Sequence, residues 1–176
     1  MRNRRSARLD TLSTAAIVRL LLDEDRRAIA AALAEAGAVT RAADEVARAL
    51  GGGGRVVMLG AGTSGRLAVL EAAECPPTFG TDPARIQAVM AGGEGAVFRA
   101  VEGAEDVAED GARAAARLGP RDLLVGISAS SVTPFVRGAL QAARARKART
   151  VLVTCAPARG LGRLADVVVA VATGPE

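Results

Sequence analysis

Apolar positions along the chain change period near residue 51. Before it they recur at helical spacing: Ile17, Leu20, Leu21 and Ala28 follow Ser13 and Thr14, either of which can cap a helix start. A second helix is predicted around 39–50 from Val39, Ala42, Ala43, Val46 and Leu50, and Gly51-Gly52-Gly53-Gly54 ends it. After the glycines, short apolar runs alternate with helical stretches. Val56–Leu59, Ile86–Met90, Leu123–Ile127, Val151–Val153 and Val167–Val171 read as five strands. Between them, helices are predicted through Leu67, Leu70 and Ala73, near 107–118, and through Phe135, Val136, Ala139, Leu140 and Ala143. Near-continuous apolar strands alternating with helices imply a mainly parallel sheet covered on both faces. The expected fold class is α/β: an open, doubly wound five-stranded sheet preceded by N-terminal helices. The expected division is a basic flexible tail over 1–12, helices over 13–50 and the sheet domain over 51–176.

Composition narrows the chemistry. Half of the 176 residues are hydrophobic but only 2% are aromatic, so the core must be aliphatic. There is no histidine, which removes His-based triads, His general bases and His metal sites. The net charge of +4 comes from Arg2, Arg4, Arg5 and Arg8 at the start. Beyond them 19 basic residues match 19 acidic ones, so the body is neutral and the basic start reads as a solvated tail; a nucleic-acid partner, which would need a basic face on the body, is not expected. Cys75 and Cys155 form no CxxC motif, and the expectation is two reduced thiols in a cytoplasmic protein. No apolar run approaches the roughly 18–20 residues that span a bilayer, and no targeting segment is read, so no membrane partner is expected.

Ligands of such sheets sit beyond the carboxyl ends of the strands. The loop after the first strand, Gly60-Ala61-Gly62-Thr63-Ser64-Gly65, matches GxGxxG, and its free helix-start N–H groups suit an anion. A dinucleotide site also wants an acid near the end of the second strand, where Val89-Met90-Ala91-Gly92-Gly93 has none. Thr63 and Ser64 suit a terminal phosphate instead; the alternative is a glycine-rich turn with Ser64 as helix cap. The third loop, Ser128-Ala129-Ser130-Ser131-Val132-Thr133-Pro134, sets four hydroxyls before a helix that Thr133 caps and Pro134 opens. It is a second anion site or a capping arrangement. Together the loops point to one phosphorylated ligand held by Gly62, Thr63, Ser64, Ser130, Ser131 and Thr133.

Without histidine, proton transfer falls to carboxylates. Glu74 precedes Pro76-Pro77, a pair expected to stop the helix and hold Glu74 in a rigid turn. Glu102, Glu105 and Asp106 follow the second strand. Two carboxylates on opposite sides of a sugar phosphate would serve as general base and general acid. Equally, Glu105 and Asp106 suit a helix N-terminal dipole, and Glu74 a solvated surface.

Gly60-Ala-Gly-Thr-Ser-Gly-Arg66, Glu74-Cys-Pro-Pro-Thr-Phe-Gly80, Ala91-Gly-Gly93 and Val101-Glu-Gly-Ala-Glu-Asp106 resemble the N-acetylmuramic acid 6-phosphate etherase family. Arg5-Ser-Ala-Arg-Leu-Asp-Thr-Leu-Ser-Thr14 and Asp23-Glu-Asp-Arg26 resemble its N-terminal helices. The resemblance implies the sugar isomerase (SIS) fold and makes 51–176 a sugar-phosphate-binding domain. It implies that Glu105 removes the C2 proton of the ring-opened sugar, that Glu74 protonates the departing lactyl ether, and that Thr63, Ser64, Ser130 and Thr133 hold the 6-phosphate. The products would be N-acetylglucosamine 6-phosphate and D-lactate, in recycling of cell-wall sugar. No metal or organic cofactor is implied, and the implied partners are a phosphorylated amino sugar and a second copy in a homodimer with the site at the interface.

Two departures stand out. The family reads Ser-Gly-Arg-Thr-Pro where this chain has Ser130-Ser131-Val132-Thr133-Pro134, losing a glycine and a planar cation. The family also continues beyond Thr173-Gly-Pro-Glu176 into further helices, so apolar sheet surface is expected to lie exposed here. The competing functions are a non-catalytic sugar-phosphate-binding module, which these departures favour, and an aldose–ketose isomerase, which the ECPPTFG segment disfavours. A dinucleotide enzyme ranks last.

Overall fold

The computed structural model describes residues 3–174; Arg2 of the basic start and the final Pro175-Glu176 lie outside them. Five parallel strands, β1 (Val56–Gly60), β2 (Ile86–Met90), β3 (Leu123–Ile127), β4 (Arg149–Thr154) and β5 (Val167–Ala170), form one sheet in the order β2-β1-β3-β4-β5. The doubly wound α/β expectation therefore holds. The order reverses between β1 and β3, so the chain departs on opposite sides there and opens a crevice above their carboxyl ends.

Strand periodicity divides the core into two layers. Val57, Leu59, Leu124 and Leu152 face α5 (Ala108–Ala114) and α6 (Pro134–Ala145), where Phe135, Val136, Ala139 and Leu140 complete the layer. Val56, Leu123, Val151, Val167 and Val169 face α2 (Ala36–Gly51). α3 (Gly62–Phe79) lies on this second face, and an apolar gap of about 480 Å³ separates it from α2. Cys75 and Phe79 of α3, Val39 and Val46 of α2 and Met58 of β1 all line that gap. No strand residue is among the exposed large hydrophobic side chains of the described residues, and the strand side chains that line the gap are buried or half-buried.

Ser13 caps α1 (Thr14–Ala34) by accepting from the Ala16 N–H at 3.3 Å. α1 buries none of its residues. Ahead of it, Arg4–Ser6 and Leu9–Thr11 form two 3-10 turns, and Arg5 pairs with Glu24 at 2.7 Å and Asp23 at 3.3 Å. α2 starts three residues before its predicted beginning and ends in the glycine run. Gly53 takes a φ of 78°, and Gly54 passes so close to the Arg121 carbonyl that a Cβ would stand 2.0 Å from its oxygen.

Three local expectations change. The proline pair does not stop α3, which runs through Pro76 and Pro77 to Phe79. Proline's fixed φ is itself helical, and only two N–H groups are lost. The stop is Gly80, left-handed at φ 65°, whose N–H bonds the Pro76 carbonyl at 2.9 Å. Glu74 consequently sits on a helical turn. The helix predicted near 107–118 is shorter, Ala108–Ala114, because the chain turns at Ala115 to bury Ala115 and Leu118. Between β2 and α5 lie a one-turn helix, α4 (Gly95–Phe98), and a 3-10 turn at Ala104–Asp106 that no periodicity announced.

Candidate functional site

The site is built at the β1/β3 crevice. Gly60 and Ile127 are paired across the sheet, so the first and third loops leave it about 5 Å apart. In the first loop Ala61, extended at φ −115°, takes the N-cap position without a side-chain cap bond, and the helix begins at Gly62. Ser64 is therefore inside the first turn and is no cap. The first turn leaves the N–H groups of Gly62, Thr63 and Ser64 without helical partners. Gly62 and Thr63 are exposed and Ser64 is half-buried. Gly65 seats the turn on the strand: a Cβ there would fall 2.6 Å from the Gly60 carbonyl oxygen.

The third loop is tightly tied. Thr133 stands at the N-cap of α6 with Pro134 as first residue, yet its hydroxyl meets the Ser128 hydroxyl at 2.8 Å instead of capping. The Ser130 Oγ accepts from the Val132 N–H at 3.3 Å, and the Ser131 N–H donates to the Ser128 carbonyl at 3.1 Å. Ser131 is buried and holds a φ of 61°, the left-handed region that favours glycine. Arg137, one turn into α6, donates from Nε to the Ser131 carbonyl at 2.9 Å. That brings a guanidinium to a loop in which sequence reading found only hydroxyls. Its signal was an arginine four residues after the N-cap, where side chains tilt back over the helix start.

Glu105 lines a cavity of about 180 Å³ with Gly62, Ala61, Arg66, Met90, Ala91 and Glu102. The structure thus brings Gly62 of the first loop and Glu105 of the 3-10 turn into one place. Thr63, Ser64, Ser130, Ser131 and Thr133 flank the crevice outside the lining of this cavity. Glu74 is elsewhere. Twelve residues of helix separate it from Gly62, a rise of about 18 Å, and it is exposed. Within one chain the two carboxylates do not face a common ligand. Among the described residues no group of three or more acidic or cysteine side chains gathers as a metal site.

The family model of the glucokinase regulatory protein N-terminal SIS domain matches residues 38–144, from within α2 through the crevice to all but the last residue of α6. The chain belongs to the SIS family. An N-acetylmuramic acid 6-phosphate etherase from Gloeobacter violaceus is 49% identical over 97% of this SIS chain and 56% of its own length. A relative of the same name from Synechococcus elongatus is 48% identical over 99% of this chain and 57% of its own. The chain therefore spans about half the length of the curated relatives it matches. Among solved structures, phosphoheptose isomerase GmhA from Neisseria gonorrhoeae superposes with a TM-score of 0.66 at 22% identity, covering 91% of this chain and 85% of that one. That likeness speaks for the SIS fold alone. No described helix is long and apolar enough to cross a membrane.

Proposed function

We propose that this SIS chain cleaves the D-lactyl ether of N-acetylmuramic acid 6-phosphate, giving N-acetylglucosamine 6-phosphate and D-lactate. The carrying observation is Glu105 in a cavity shared with Gly62, a carboxylate beside a helix start suited to a phosphate. The names of the relatives support the same substrate. In the ring-opened sugar the C1 aldehyde acidifies the C2 proton. Glu105 takes that proton, the C3–O bond breaks, and lactate leaves with a proton from Glu74. Water then adds its hydroxyl at C3 and a proton at C2. The sequence is redox-neutral and calls for no organic cofactor. The 6-phosphate is held by Gly62, Thr63 and Ser64 on one side and Ser130, Ser131 and Thr133 on the other.

Glu74 reaches this substrate only from a second copy, given its distance along α3. Leu67 and Leu70 are more than half exposed and lie two turns and one turn ahead of Glu74, respectively, on the same helical face. A copy that covers these leucines takes Glu74 with them, which supports a homodimer with a shared site. Leu22, Ile29 and Leu33 on α1 are also more than half exposed and add to the surface available.

A second reading, a sugar-phosphate-binding module without turnover, is favoured by one observation: strained Ser131 and exposed Val132 stand where the family has Gly-Arg. The deciding test is D-lactate release by the purified chain beside Glu105→Gln. Loss of the base is expected to cost about 10²–10⁴-fold in rate. Binding of N-acetylglucosamine 6-phosphate with no lactate from either protein would favour the module.

A further inference from the structure

We propose that Arg66 is a positioning residue that fixes the Glu105 turn against the phosphate-binding end of α3, an inference that rests on Glu105 being the base. The segment from Ala91 to Val107 has little structure of its own: one four-residue helix and one three-residue 3-10 turn. Something outside it must hold it. Arg66 sits on α3 just after the first-loop glycines, donating from Nε to the Val97 carbonyl at 2.8 Å and from Nη2 to the Ala96 carbonyl at 2.9 Å. These carbonyls belong to the end of α4, where the helix supplies no partners. A cationic donor bonds such acceptors more strongly than a neutral one.

The connection continues to Glu105 by packing. Ala96 is buried against Gly92, where a Cβ would stand 3.0 Å from Ala96 Cβ, 3.2 Å from Val101 Cβ and 3.3 Å from Ala104 Cβ. Ala104 is the residue before Glu105. Gly92 itself holds a φ of 84°, so three side chains converge on a position that admits none. Arg66 grips one of the three, and Glu105 follows another. Arg66 also lines the cavity that Gly62 and Glu105 share. It thereby joins the two parts whose separation must match the span between the 6-phosphate and C2 of the substrate. A lysine ammonium is a compact charge on a flexible stem and lacks the planar fork that holds two adjacent carbonyls at once.

The test compares wild type with Arg66→Lys and Arg66→Gln in three readouts: kcat and KM for lactate release, thermal midpoint, and amide hydrogen exchange over residues 95–106. Misplacing a base by about 1 Å costs on the order of 10²-fold, so kcat is expected to fall about 30- to 100-fold while KM stays within about threefold. Exchange over 95–106 is expected to accelerate in both variants while strands β1 and β3 keep their protection. Unchanged exchange, an unchanged kcat, or a loss confined to KM would overturn the proposal. If the wild type itself releases no lactate, the etherase reading and the catalytic half of this inference fail together. Exchange over 95–106 still decides whether Arg66 holds the turn.

Discussion

Glycines 111 and 138 set how closely α5 and α6 approach, so a side chain at either position forces the two helices apart. A Cβ at Gly111 would lie 1.8 Å from the Phe135 carbonyl oxygen, and one at Gly138 would lie 2.1 Å from the Ala108 carbonyl oxygen. Each helix therefore presses a bare backbone position against the first turn of the other. Bringing these contacts out to 3.0 Å requires the helices to part by about 1.2 Å for Gly111→Ala and about 0.9 Å for Gly138→Ala. The obstacle is backbone, which no rotamer change removes, so the cost belongs at the upper end of overpacking, about 3 kcal/mol. For a chain of this length that lowers the thermal midpoint by about 6–12 °C. Once either methyl has parted the helices the other gains room, so the double variant is expected to fall short of additivity by about 1–2 kcal/mol. Gly51→Ala, with nothing within 4 Å of its Cβ, is the control and is expected to be neutral or slightly stabilising. Thermal and urea unfolding followed by circular dichroism compare these four variants with wild type. Midpoints within 2 °C of wild type, or strictly additive losses, would refute the close-approach argument.

Asp122 accepts from the Arg55 N–H at 2.8 Å, the Gly119 N–H at 2.9 Å and Arg55 Nη2 at 3.0 Å. Burial pushes its pKa up, but the Arg55 side chain and the two backbone N–H groups outweigh burial and hold it below the usual carboxylate range. Its contribution is therefore complete above the ordinary value of about 4 and is lost as pH falls through the lower folded value. Asp122→Asn is expected to cost about 2 kcal/mol at pH 7, with the gap from wild type closing in urea titrations below about pH 4. Ser131→Gly removes a side chain from a left-handed position and is expected to stabilise by up to about 1 kcal/mol in the same assay. A thiol reagent is expected to label exposed Cys155 at once. It should reach Cys75, buried and with its thiol pushed up by burial and by Glu71, only as the chain unfolds.

The sheet was legible because buried parallel strands read as near-continuous apolar runs, and all five appear where Val, Leu and Ile cluster, including the half-buried β2 that Gln87 interrupts. The two candidate phosphate loops were legible as strand-to-helix junctions rich in glycine and hydroxyls. Glu105 could be singled out as a carboxylate following β2, but its cavity could not, because α4 and the 104–106 turn are too short to leave a period. Pro76-Pro77 misled because proline disfavours a helix interior through two lost N–H bonds and the crowding of its ring on the preceding turn, yet α3 carries the pair in its last turn and ends only at Gly80. Seen as a helical residue, Glu74 moves some 18 Å from the phosphate end of α3. Within one chain the two carboxylates therefore do not meet, and the shared pocket proposed above requires two copies. Neither Arg66 nor Arg137 is given a role by the sequence, because both act on backbone carbonyls of segments brought near only by the fold.

The most direct test of the central claim is lactate release from N-acetylmuramic acid 6-phosphate by Glu74→Gln and Glu105→Gln, each alone and co-expressed. Wild type is expected to release D-lactate and each variant alone almost none. Random pairing makes half the dimers mixed, each with one intact site of two, so co-expression is expected to restore about one quarter of wild-type activity. Co-expression that restores nothing would contradict a site shared between copies, and a folded wild-type chain that binds the sugar phosphate but releases no lactate would contradict the etherase itself.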